Sequence, residues 1–157
     1  MSRLLLFNPE NDLALAADER NYTPRAHAAA LHRAGALLPA WWAGHGDLLL
    51  APAGSRADLE AIRSQYGLNG EIATPEAVAE MVTECEPWGW SLDAKRQFMA
   101  AGVPEARLPD DATLGRWREL SHRRSAVWLN RYIAGEMPET MLPRFPGYIP
   151  MPRLQCR

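Results

Sequence analysis

The sequence predicts an α/β fold with a parallel sheet and helices on its faces, and three observations carry that expectation. Short apolar runs at Arg3–Phe7, Asp47–Ala51 and Glu71–Ala73 are each followed by a stretch with helical spacing. Strand and helix therefore alternate three times within the first 82 residues, the pattern of parallel α/β units. The chain has 157 residues and is 47% hydrophobic, enough to bury a core as one domain with a short appendage.

Arg3–Phe7 reads as a fully buried strand closed by Asn8-Pro9. Residues 8–22 read as loop, with Leu13–Ala16 able to form one helical turn. Thr23 is expected to cap the next helix, with Pro24 at its first position and Gly35 as its stop. Leu37–Ala43 reads as a second helical turn or a packed connector, and Asp47–Ala51 as the second strand. Ser55 is expected to cap a helix through about Tyr66 that Gly67 ends. Glu71–Ala73 is the third strand, and Thr74-Pro75-Glu76 starts a helix through Val82. Residues 84–90, ECEPWGW, break the alternation and carry no predicted element. Ser91 caps a helix over 92–101 that stops at Gly102. A helical region begins at Asp110 or Asp111 and extends toward Tyr132. Five prolines beyond Met137 predict an irregular tail.

Composition removes several functions. The net charge is −2, which argues against nucleic acid as a partner. Arg116, Arg118, Arg123, Arg124 and Arg131 make the C-terminal part basic, and a solvated helix face accounts for them. Cys85 and Cys156 lack ligand spacing, so no metal site is expected. No segment is long and apolar enough for export or for spanning a membrane, and the reading is a cytoplasmic protein with reduced thiols. No GxGxxG follows the first strand and no GxxxxGK[ST] appears; Lys95 is the only lysine. His27 and His32 read as a surface pair, His45 and His122 stand alone, and no serine or cysteine sits where covalent catalysis would need it. The tryptophans read mainly as packing residues; Trp88-Gly89-Trp90 is the segment that could line a pocket mouth.

What composition leaves is a polar cluster after the first strand. In open parallel sheets, ligands bind beyond the carboxyl ends of the strands. That rule delivers Asn8, Glu10, Asn11 and Asp12 to the ligand edge, with Asn21, Tyr22 and Thr23 at the start of the following helix. Each residue alone is explained by turn chemistry, because Asn and Asp bond neighbouring backbone groups. The cluster exceeds what one turn requires. Its carboxylates suit an amine, a sugar hydroxyl or a hard cation, and the helix start suits an anion. The expected ligand is a small polar metabolite; self-association into a homodimer is left open.

The opening FNPENDLALA, with NYTP and LLPAWWA after it, resembles the start of a family of uncharacterised bacterial proteins. That pattern is FNPE(N/H)D(L/I)ALA, then a (Y/F)-T/A-P-P element, then LLPAWYA; Arg25 departs from its second proline. LDAKRQFMAAGVPEARLP, residues 92–109, is similar to the segment of ATP-grasp enzymes that joins the pre-ATP-grasp domain to the nucleotide-binding part. Here Asp93 and Lys95 are separated by Ala94, one residue off the D-K pattern. The resemblance implies a Rossmann-like, pre-ATP-grasp-like domain over 1–109. Residues 110–157 would be a helical extension and proline-rich tail, the truncated start of an ATP-grasp domain. It also implies a substrate-side domain of a carboxylate–amine ligase; loop position then puts Glu10 and Asp12 in the catalytic role and Asn8, Asn11, Asn21, Tyr22 and Thr23 in contact with substrate. ATP and magnesium are expected only with a downstream glycine-rich loop, which residues 110–157 do not contain. The competing expectation is a non-catalytic Rossmann-like module that binds a small metabolite or a partner chain.

Overall fold

A computed structural model of the chain describes residues 2–135. The irregular tail expected beyond Met137, and Cys156 with it, lie outside the described residues. Two compact units divide after Arg116.

The first unit is built on four parallel strands: β1 (Ser2–Leu6), β2 (Leu48–Leu49), β3 (Glu71–Ile72) and β4 (Val82–Pro87). Their order across the sheet is β3-β2-β1-β4, so the chain steps outward twice and then crosses back to the other side of β1. Helices α1 (Asn11–Ala17) and α2 (Ala26–Gly35) follow β1, α3 (Arg56–Tyr66) follows β2, and α4 (Pro75–Met81) joins β3 to β4. After β4 come α5 (Leu92–Ala100) and the start of α6 (Asp111–Ser121). This is an α/β, Rossmann-like arrangement.

Strand alternation sorts the core onto two faces. Leu4, Leu6 and Leu48 pack with Val78 of α4 and with Ala94 and Phe98 of α5. Leu5, Leu49 and Ile72 pack on the other face with Ala40, Ala43 and Leu59 of α3. Phe7 continues the second face and meets Gly35 of α2, where an added Cβ would lie 2.3 Å from the ring. Helix α2 after β1 and helix α5 after β4 thus cover opposite faces. The gap between those two strands is therefore the topological switch point.

Local rules explain most boundaries. Thr74 Oγ1 accepts from Ala77 N–H, and Ser91 Oγ from Ala94 N–H, so these two predicted caps form, whereas Ser55 stands at the start of α3 without a side-chain cap hydrogen bond. Gly67 closes α3 with φ of 66°. Three expectations need correction. The ECEPWGW stretch, read as a break, lies largely in β4: Val82 is buried there, Thr83 and Glu84 are exposed, and Pro87 ends an edge strand where no N–H is needed. Thr23 does not cap α2. Arg25 is the cap residue with extended backbone, because proline fixes only φ and Pro24 leaves the chain free to stay extended. The helical region near residue 122 is also interrupted: His122 is extended, and α7 (Arg123–Ile133) begins after it.

Within the second unit, Ser125 Oγ donates to the Glu119 carbonyl and Arg124 pairs with Glu119. Trp128, Leu129 and Ile133 of α7 are exposed. No helix among the described residues is long and apolar enough to cross a membrane.

Candidate functional site

β1 and β4 run side by side until Leu6 pairs with Pro87, and Trp88 N–H donates to the Leu6 carbonyl at 2.7 Å. Beyond that point a side chain takes over from the backbone. Asn8 Nδ2 donates to the Gly89 carbonyl at 2.8 Å, and Gly89 N–H donates back to Asn8 Oδ1 at 3.2 Å. The carboxamide acts as one more rung of the ladder and ties the two strand ends across the switch point. Asn11 sits against the same glycine: an added Cβ on Gly89 would lie 2.2 Å from Asn11 Nδ2. Asn8 and Asn11 are buried, and Asn8 Nδ2 also reaches Asn11 Oδ1 at 3.4 Å.

Glu10 turns the chain from β1 into α1; its carbonyl accepts from Leu13 and Ala14 N–H. Its side chain caps nothing. Oε1 instead meets His32 Nδ1 of α2 at 2.7 Å, with the Glu10 side chain only 3% exposed and that of His32 22% exposed. Glu10 Oε2 is buried and has no hydrogen-bond partner among the described residues. A buried carboxylate oxygen without a partner is costly in a folded protein, because its hydration is lost and not replaced.

The remaining predicted residues lie further out. Asp12, in the first turn of α1, is exposed, as are Asn21 and Thr23, while Tyr22 is half-buried. Since α2 starts at Ala26, the helix start expected at Thr23-Pro24 is displaced by two residues along the chain. Sequence reasoning did not connect His32 with Glu10, because the two are 22 residues apart and belong to different helical segments. A signal was present all the same: His32 and Gly35 are spaced to share a helix face, and Gly35 is small enough to press that face onto Phe7.

Aromatic rings flank the strand ends. Trp88 is 63% exposed, packs edge-on against Phe7 at 5.7 Å and lies 6.2 Å from Trp42. Trp90 turns the other way and packs on Phe98.

Two charge networks hold the surroundings. Lys95, 4% exposed, bridges Glu105 at 2.9 Å and Asp111 at 2.8 Å. Asp111, with Glu105 beside it, raises the Lys95 pKa, and Lys95 holds Asp111 below the usual carboxylate range. Asp111 also pairs with Arg20, whose carbonyl accepts from Arg96 Nε at 2.9 Å, so the loop between α1 and α2 is tied to α5. Asp93 accepts from Arg96 and Gln97. The Asp93/Lys95 pair of the motif thus serves ion pairs within this unit. Elsewhere, Asp47 accepts from Arg3 through both its backbone and its side chain, and from Gly44 N–H. Burial pushes the Asp47 pKa up, but those donors outweigh it and hold it below the ordinary value.

No group of three or more His, Cys, Asp or Glu suited to a metal ion occurs among the described residues. The fold and this edge define an α/β, Rossmann-like domain with a buried carboxylate paired to a half-buried imidazole beside its switch point. No protein-family model matches the chain, and neither a curated protein nor a solved structure matches it.

Proposed function

We propose that this domain binds a small polar metabolite bearing a primary amine at the β1/β4 edge, as the substrate-side domain of an ATP-grasp-like carboxylate–amine ligase. The observation that carries the reading is Glu10: a buried carboxylate with one oxygen on His32 and the other without a protein partner. A carboxylate only accepts hydrogen bonds and brings negative charge to this edge, so the complementary ligand is a donor, and an ammonium supplies both donors and charge. The exposed Trp88 beside the edge favours a cationic group further. In ligase chemistry ATP phosphorylates a carboxylate and the amine displaces the phosphate; residues 1–135 would contribute the amine side of that reaction. On the reading of reduced thiols the domain works in the cytoplasm.

Thermal denaturation with a panel of small amines and matched carboxylic acids tests this. A ligand at one hundred times its Kd adds about 2.7 kcal/mol. At this chain length that is about 5–10 °C in Tm. Amines should raise Tm, the acids should not, and Glu10→Gln should reduce the response to about half or less. ATP alone should bind with no better than millimolar affinity. Micromolar ATP binding by titration calorimetry, or equal response to amines and acids, would overturn the reading.

A further inference from the structure

Glu10 and His32 are unequal partners. The carboxylate is nearly sealed off, whereas the imidazole keeps about a fifth of its surface in contact with solvent. The 2.7 Å contact uses Nδ1. An ionised carboxylate only accepts, so Nδ1 is the nitrogen that donates to it, and in the neutral form of the ring Nε2 is then the acceptor. One turn along α2, Gly35 lies against Phe7 so closely that no Cβ would fit, which sets the height of the helix over the end of β1. Glu10 is held in turn by its place as the turn residue between β1 and α1.

We infer that His32 is the residue that meets the ligand's ammonium, through Nε2, and that Glu10 is the positioning residue behind it. The inference rests on the amine reading above and reverses the roles the sequence suggested, in which Glu10 made the contact. The proton balance is simple. An N–H bond of the ammonium breaks as Nε2–H forms; the positive charge passes to the imidazole, where the Glu10 carboxylate faces it. The amine is left neutral with its lone pair free to attack an acyl phosphate. An orienting carboxylate on Nδ1 is the arrangement that makes imidazole a directed base.

Nitrogen-15 NMR of the histidine rings in the full chain tests this, with His32→Asn assigning the signal among the four histidines. Ethanolamine and putrescine serve as probes. The inference expects one tautomer at His32, with hydrogen on Nδ1 and Nε2 bare, and a shift at Nε2 when either probe is added. Glu10→Gln should let the ring relax to a tautomer mixture while circular dichroism stays native. Both Glu10→Gln and His32→Asn should weaken probe binding by about tenfold or more. An Nε2–H tautomer in the free protein would overturn the inference, as would an unchanged tautomer in Glu10→Gln. Probes that shift Asn8 and Gly89 but leave His32 untouched would overturn it while sparing the amine reading. Probes that shift nothing at this edge would sink both.

Discussion

Replacing Asn8 with alanine removes the side-chain rung between β1 and β4, and the cost can be worked from two bonds. Nδ2 to the Gly89 carbonyl is 2.8 Å and Gly89 N–H to Oδ1 is 3.2 Å, in a side chain that is buried. Each such bond is worth about 1 kcal/mol net. The contact to Asn11 at 3.4 Å is too long to add much. Asn8→Ala should therefore cost about 2 kcal/mol. That corresponds to a Tm lowered by about 4–8 °C. Asn8→Asp is the sharper variant. It keeps the acceptor for Gly89 N–H but sets a second acceptor against the Gly89 carbonyl. At neutral pH it should be at least as damaging as alanine; at acid pH, the protonated carboxyl donates to that carbonyl and the penalty relative to wild type shrinks. Urea unfolding followed by far-ultraviolet circular dichroism is the assay, because Trp88 next to the site would confound fluorescence. An Asn8→Ala cost below about 0.5 kcal/mol, or an Asn8→Asp protein with wild-type stability at neutral pH, would refute the rung.

Other perturbations separate the remaining contacts. Gly35→Ala should destabilise by about 1–3 kcal/mol in the same assay even though alanine favours helix, because its Cβ would overlap the Phe7 ring; a neutral result would mean that α2 can lift off β1. Lys95→Met should flatten the pH dependence of stability. Asp111 is held below its ordinary value, so its contribution is present above that value and lost as pH falls through the lowered one. Lys95 is raised, so its contribution persists up to its ordinary value and disappears as pH climbs through the raised one. Melting curves across acid and alkaline pH would show wild type losing stability at both ends and the variant losing less. In a Cys156→Ser background, burial pushes the Cys85 thiol up to about 11. Reaction with a thiolate-selective reagent should then be slow at neutral pH and accelerate only toward that value.

The sequence made the central strands legible because Leu4–Leu6 and Leu48–Leu49 are buried on both faces and leave no competing pattern. Caps were legible where the side-chain oxygen does bond the helix, as at Thr74 and Ser91, and misleading at Thr23, where it does not. β4 escaped notice because an edge strand tolerates Glu84, Glu86 and Pro87, which read as loop composition. At the site, sequence position alone placed Asn8 and Glu10 beyond β1. Their partners Gly89 and His32 were hidden, since they lie 81 and 22 residues away. Those pairings depend on which strand lies beside β1 and on how closely α2 approaches it, and neither is written in local periodicity.

A crystal of the full chain soaked with a mixture of small amines tests the binding proposal most directly. The account predicts ligand density within hydrogen-bonding distance of the Glu10–His32 pair, at the ends of β1 and β4. Well-ordered crystals with that pair unchanged and density only at other surfaces would contradict it.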